Sequence, residues 1–275
     1  RDHRKPKPTN PDTYILRLPQ PDSSESLCKI QSTMSLSRSE QIAEYGWTSL
    51  PCDPAKWGGN KKYNKEPVPQ LCSSISLPDT ALVKAAMEHV KQELPEHTFN
   101  HSMRVFYYGM AIATQQFPSW EFSPETWLLT CLFHDIGTVD KHTHGTLMSF
   151  EFYGGYLAMD QLKQFNSPAG QAESVAEAII RHQDPVETGT ITTVGLLIQL
   201  ATQFDNMGYR AGYVHEDTIK DVVKNYPRRN WSGCFSKKIR EEVEVKPWCH
   251  TTASTEKFPH DVEHNELMSP YDDSY

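Results

Sequence analysis

Between residues 79 and 245, apolar side chains return every three or four positions in one stretch after another, and the alternation of period two that marks half-buried strands is nearly absent. A chain patterned in this way is confined to packing helix against helix, so the fold class is all-α. Asp79-Thr80 caps a helix whose Leu82, Val83, Ala86, Met87 and Val90 share a face. A second helix runs from about His97 to Gln116 and puts His101, Val105, Tyr108 and Ile112 on one side. Ser123-Pro124, a cap followed by proline at the first helical position, starts a short and almost wholly apolar helix that carries Trp127, Leu128, Cys131 and Leu132 and ends at Gly137. Further helices are expected at about 149–165, 171–182, 192–205, 216–225 and 232–245, with no internal repeat. A length of 275 residues suits one sizeable core with decoration.

The two ends read differently. Residues 1–43 carry Pro6, Pro8, Pro11, Pro19 and Pro21 without sustained periodicity and are expected to form a disordered arm. Tyr45 to Pro69 is expected to lie as an irregular strap on a domain spanning 44–252. Residues 253–275, with six carboxylates against one lysine, read as a solvated acidic tail. No apolar run is long enough for a membrane span, and Arg1 to Pro6 lacks the apolar stretch of a signal peptide. The six cysteines form no CxxC pair, which fits reduced thiols and a cytoplasmic setting. A net charge of −8 disfavours nucleic acid as a partner and leaves self-association open.

The strongest local anomaly is Leu132-Phe133-His134-Asp135-Ile136-Gly137, a polar pair that closes a run of core residues. An ionised carboxylate buried without a partner costs roughly several kcal/mol, so Asp135 requires a cation, a metal or a cluster of donors. His101 lies on the apolar face of its own helix, and Asp205 shares a face with Val194, Leu197, Ile198 and Ala201. Taken singly, each has an ordinary reading: a satisfied core histidine, a helix cap, an ion-pair member. Taken together, the anomalies are explained most economically by one shared cation, and two imidazoles with two carboxylates suit Zn²⁺, with Fe²⁺ or Mn²⁺ as alternatives.

His101, His134-Asp135 and Asp205 resemble the H…HD…D signature of the HD-domain superfamily of metal-dependent enzymes. Longer blocks narrow the resemblance: Asn100 to Phe106, Cys131 to Ile136, Met148 to Gly155, Ala178 to Asp184 and Lys246 to Thr252 are similar to those of fungal HD-type cyanamide hydratases, as is Tyr45-Gly46-Trp47-Thr48. The resemblance implies an HD helical bundle in which His101, His134, Asp135 and Asp205 hold zinc with a water in the open position. It also implies hydration of cyanamide, a small neutral nitrile, to urea. One departure is Leu147, where family members carry a basic residue; the loop from Val139 to Thr146 also differs.

Hydration of a nitrile places negative charge on its nitrogen, so a proton donor is needed, and His182, beside Gln183 and Asp184 at a helix end, is the candidate. Lys141 and Asn206 are weaker candidates for orienting substrate or water. Gly154-Gly155 within a helix reads as a close helix approach under the metal, and Phe133, Phe150 and Tyr153 are expected to line an apolar pocket. The rival activity is an HD-type phosphohydrolase acting on a nucleotide, for which Arg104 and Arg181 are the available phosphate clamps. A metal-stabilised interaction domain without catalysis is the non-enzymatic alternative.

Overall fold

The computed structural model describes residues 36–272. Its helices are α1 (Arg38–Glu44), α2 (Ala81–Glu93), α3 (Glu96–Gln116), α4 (Pro124–Phe133), α5 (Asp140–Thr143), α6 (Phe150–Gln164), α7 (Ala169–Arg181), α8 (Thr193–Met207), α9 (Glu216–Asn225), α10 (Trp231–Val245), α11 (Lys257–Glu263) and α12 (Ser269–Asp272). The fold is all-α, with one small antiparallel ladder in which β1 (Ser49–Pro51) pairs with β2 (Thr190–Thr192) and Leu50 faces Ile191. Three-residue strands are too short to display a period of two, which is why the sequence pattern misses them. Among the described residues no helix is long and apolar enough to cross a membrane.

Helices α3 and α4 form the centre. Every side chain of α4 from Thr126 to Phe133 is buried, and α3 is buried around most of its circumference, so other helices must cover both on several sides. The strap before α2 closes one end of this core: Trp47 donates its indole N–H to Gly170 O at 3.0 Å, and Gln116 Oε1 accepts from the backbone of Asn64 at 2.9 Å. Helices α6 and α7 pack closely because Gly155 has no side chain. A Cβ there would stand 2.6 Å from Ile180 Cγ1 and 3.0 Å from Ala176 O. Its neighbour Gly154 lies instead against Gly137, just after the His134-Asp135 pair.

Two expectations about the ends change. The arm placed at residues 1–43 lies, as far as residue 35, outside the described residues; from Ser37 the chain is helix α1, opened by a reciprocal capping box between Ser37 and Glu40. The segment read as a solvated tail folds through residue 272. Val262 and Met268 are fully buried, and Val262 joins Trp231, Phe235 and Ile239 in a second, smaller hydrophobic cluster. Its carboxylates have partners: Glu263 accepts from Arg240 and Ser236, and Asp272 accepts from Arg228 Nε at 2.8 Å. Composition counts the charges of a segment and is blind to the cations that other segments bring to it. The last three residues lie outside the described region.

Candidate metal centre and catalytic pocket

Helix α4 ends at Phe133, and His134 and Asp135 follow in a turn that continues as a 3-10 segment from Ile136 to Thr138. The turn is pressed onto the start of α6, where a Cβ on Gly137 would fall 2.1 Å from Phe150 O. Only glycine permits that approach. The result faces both polar side chains toward His101 on α3. His101 Nε2 lies 3.1 Å from His134 Nε2 and 3.6 Å from Asp135 Oδ2, and His134 Nε2 lies 3.2 Å from the same oxygen. All three residues are buried.

Hydrogen bonding on the far side of each ring decides what these atoms can do. His101 Nδ1 donates to Asp205 Oδ2 at 2.6 Å, and His134 Nδ1 donates to Cys131 O at 2.8 Å. A neutral imidazole has one ring proton, so both Nε2 atoms present lone pairs to each other and to a carboxylate. Both oxygens of Asp135 are buried without a hydrogen-bond partner among the described residues. Three electron-pair donors at these separations repel unless a cation joins them. Separations of 3.1 to 3.6 Å match the edges, about 3.3 Å, of a tetrahedron built on metal–nitrogen bonds of ~2.0–2.1 Å. The donor set therefore fits a divalent metal, and the far-side bonds fix the ring orientation such a site requires.

The protonation states agree. Burial, which outweighs the neighbouring Asp205, lowers His101 to about 4 and keeps it neutral. Burial opposes ionisation of Asp135, but His134, with support from His101 and His182, prevails and holds its carboxyl at about 2. Burial also opposes protonation of His134, yet Asp135 beside it shifts the ring upward. A positive charge at His134 Nε2, whether a proton or a metal, is what Asp135 asks for.

Asp205 occupies a different place from the one expected of a ligand. Its Oδ1 accepts from Arg104 Nε at 3.0 Å and Arg228 Nη1 at 2.8 Å, and its Oδ2 accepts from Arg104 Nη2 at 2.9 Å besides His101. With two guanidiniums and one imidazole on it, the carboxylate orients His101. The ring of Trp231 stacks on the face of His101 with centroids 4.2 Å apart, which fixes it from another side. Arg228 and Trp231 were missed in the sequence because nothing about their spacing marks them. Arg104, one turn after His101, was weighed only as a phosphate clamp.

The cluster opens into a cavity of about 300 Å³, lined by His134, Asp135, His182, Gln183, Asn206 and Tyr209 among others. His182 is buried, its ring edge-on to that of His134 at 5.5 Å. Its Nδ1 donates to Ile179 O at 2.7 Å, and burial, reinforced by His134, lowers its pKa. In the neutral ring the bond to Ile179 O puts the proton on Nδ1 and leaves Nε2 an acceptor, so a proton leaves Nε2 only from the imidazolium. Lys141 is not brought here. Its ammonium pairs with Glu93 on α2.

Of the three expected lining residues, Phe133 stacks on His89 and Tyr153 meets His142, while Phe150 meets the His182 ring edge-on at 5.6 Å; the cavity wall mixes polar and apolar groups. Leu147 is 75% exposed and its carbonyl accepts from Trp248 Nε1, so its side chain does not shape the cavity. The folded tail supplies a further wall, with Lys257, Phe258 and Asp261 in the lining.

A family model for the HD domain matches residues 98–207, a span that contains the three clustered donors, Asp205 and His182. Two proteins of Saccharomyces cerevisiae, cyanamide hydratase DDI2 and cyanamide hydratase DDI3, are each 37% identical to this chain over 220 residues, covering 79% of this chain and 95% of theirs. A likeness of this extent to two enzymes favours an enzyme over a non-enzymatic interaction module. The chain belongs to the HD-type cyanamide hydratases, a family of hydro-lyases.

Proposed function

We propose that the protein hydrates cyanamide to urea, using a zinc ion held by His101 Nε2, His134 Nε2 and Asp135, with His182 beside it in the cavity wall. The single observation that carries this reading is the unpartnered, buried Asp135 carboxylate facing two imidazole lone pairs. A divalent ion held by these residues would supply Lewis acidity, enough to bring the pKa of a water down to about 7. Gln183 Oε1, buried without a partner in the described residues and in the cavity wall, accepts an N–H from the amino end of the substrate. Asn206 gives its Oδ1 to the Trp231 indole N–H at 2.7 Å and so offers the cavity its amide N–H groups, suited to the charge that develops on the nitrile nitrogen. The cytoplasm is the compartment we propose, consistent with the free thiols of Cys52, Cys72, Cys131, Cys234 and Cys249.

The nucleotide phosphohydrolase reading finds less support. Arg104 is committed to Asp205, Arg181 donates to Asp184 Oδ2 at 2.9 Å, and Lys257 in the cavity wall pairs with Asp261. No cationic side chain of the cavity is left to clamp phosphate oxygens without breaking one of these pairs.

Urea release from cyanamide by purified, metal-analysed protein is the direct test; phosphate release from nucleotides with no urea formed would overturn the reading. In the same assay His182→Ala is expected to lower turnover while the metal is retained, whereas loss of the metal would make His182 a ligand. Gln183→Leu is expected to lower kcat/KM for cyanamide about 10-fold, in line with roughly 1–1.5 kcal/mol for one hydrogen bond. Acetonitrile, which has no N–H to give, should be hydrated no worse by the variant than by the wild type. Equal losses for the two nitriles would remove Gln183 from substrate recognition.

A further inference from the structure

The blocks Met148 to Gly155 and Lys246 to Thr252 add no donor to the metal cluster, yet the fold brings them together with Asp184 at one point beside the cavity. Glu151, on α6, is 0% exposed; its Oε1 accepts from His250 Nδ1 at 2.7 Å, and its Oε2 is buried without a partner among the described residues. The other ring nitrogen, His250 Nε2, stands 3.7 Å from Asp184 Oδ1, beyond hydrogen-bond length but within reach of an ion pair. Asp184 lines the cavity two residues after His182, and its Oδ2 is held by Arg181.

The backbone of His250 is fixed independently of its ring. Its N–H donates to Ser149 Oγ at 2.8 Å, and Thr251 donates to Glu242 Oε2, whose Oε1 accepts from Phe150 N at 2.7 Å. Lys246 Nζ is shared between Met148 O at 2.8 Å and Glu242 at 3.2 Å, and Arg181 is taken by Asp184, so neither neutralises Glu151. His250 is the cation that the buried carboxylate receives. The groups facing its ring are Glu151, Asp184 and Glu242, with Arg181 beyond Asp184, Lys246 beyond Glu242 and the Phe152 ring stacked at 5.4 Å.

We propose that His250, gripped by Glu151, is a positioning residue for the hydration reaction: it clamps Asp184 and thereby the turn 181–184 that presents His182 and Gln183 to the cavity. The inference rests on the reading of that cavity as the hydration site. The clamp needs the imidazolium, because a neutral ring has one N–H and serves only one of the two carboxylates. The hydrogen bond to Glu151, against the cost of burial, raises the His250 pKa. The clamp is therefore complete below the ordinary histidine range near ~6.5 and is lost as pH rises through the raised value.

The test combines NMR with kinetics on the metal-loaded protein. The His250 imidazole resonance, identified by its absence in His250→Asn, should titrate above ~6.5 and move down in Glu151→Gln. Hydrogen-exchange protection of amides 182–184 should fall as pH passes that value in the wild type, and should be low at every pH in His250→Asn. That variant should retain its metal, lose about 10-fold in kcat/KM, less than the ~10² that an ångström of misplacement costs, and lack the alkaline limb of the wild-type pH profile. Protection at 182–184 that is independent of pH and unchanged in His250→Asn would overturn the proposal whatever the substrate. A protein that forms no urea but shows the titration-linked protection would sink the cyanamide reading and leave the clamp standing.

Discussion

Asp135→Ala is expected to reduce urea formation by at least about 10³-fold, the equivalent of ~4 kcal/mol of lost charge stabilisation, and to leave the protein without stoichiometric metal. Without the metal both oxygens of Asp135 are buried with no hydrogen-bond partner among the described residues, and the neighbouring histidines, His134 first, offset the cost of its charge. Removing it should therefore matter far more in the metal-loaded state than in the metal-free one. Metal-free Asp135→Ala should melt close to metal-free wild type. With metal present, the wild type should gain stability, about 2.7 kcal/mol at a hundredfold excess over its Kd, and the variant should gain none. Asp135→Asn, which retains an oxygen and loses the charge, separates geometry from electrostatics. Elemental analysis and calorimetry decide the matter, and a variant that melts like the wild type in both states would remove Asp135 from the site.

Asp205→Ala is expected to be more damaging to the fold than to the metal. Arg104 and Arg228 are both fully buried, and their charges converge on this one carboxylate. Deleting one member of a buried ion cluster strands the others, at a cost of about 3–5 kcal/mol, which is a large share of the stability of an ordinary domain. Burial opposes ionisation of Asp205, but Arg104, then Arg228 and His101, outweigh it and hold the carboxyl well below its ordinary value of 3.8. The sign follows from linkage: the stabilisation is complete above about pH 4 and drains away as pH falls toward the depressed value in the folded state. Denaturation midpoints should therefore drop on acidification in the wild type and drop less steeply in Asp205→Asn, where Asp135 still contributes its share. A midpoint within about 1 kcal/mol of wild type for Asp205→Ala would mean that the two arginines find other partners.

The periodicity of the sequence reports burial, and burial is what it read well. The faces holding His101 and Asp205, the short buried α4 and the glycine pair of α6 all follow from apolar spacing. What spacing does not carry is the identity of a partner. Asp205 looked like a ligand because a carboxylate on an apolar face needs a cation, and two arginines satisfy that need as well as a metal does. His182 lies in the cavity wall, but which of its nitrogens carries the proton of the neutral ring depends on the Ile179 carbonyl one turn back, which no residue type reveals. Lys141 was singled out for its nearness in sequence to His134-Asp135, and the four-residue α5 turns it toward α2 instead. The residues missed altogether, Arg228, Trp231 and the wall from 253 to 261, act across the fold from segments whose local pattern is ordinary, and nothing in the two blocks that carry Glu151 and His250 announces that the pair meets.

The wall from 253 to 261 is only partly separable from the metal donors. The metal donors are anchored in the main core, through α3 and the end of α4, whereas Lys257, Phe258 and Asp261 hang on a smaller cluster in which Val262 packs with Phe235 and Ile239. Substitutions at Lys257 or Asp261 can reshape the cavity at a distance from the donors, whereas Val262 shares its cluster with Trp231, whose ring stacks on His101. A library at the cavity-facing positions of 253–261 would therefore measure how far this wall can change before the contact that steadies His101 is felt.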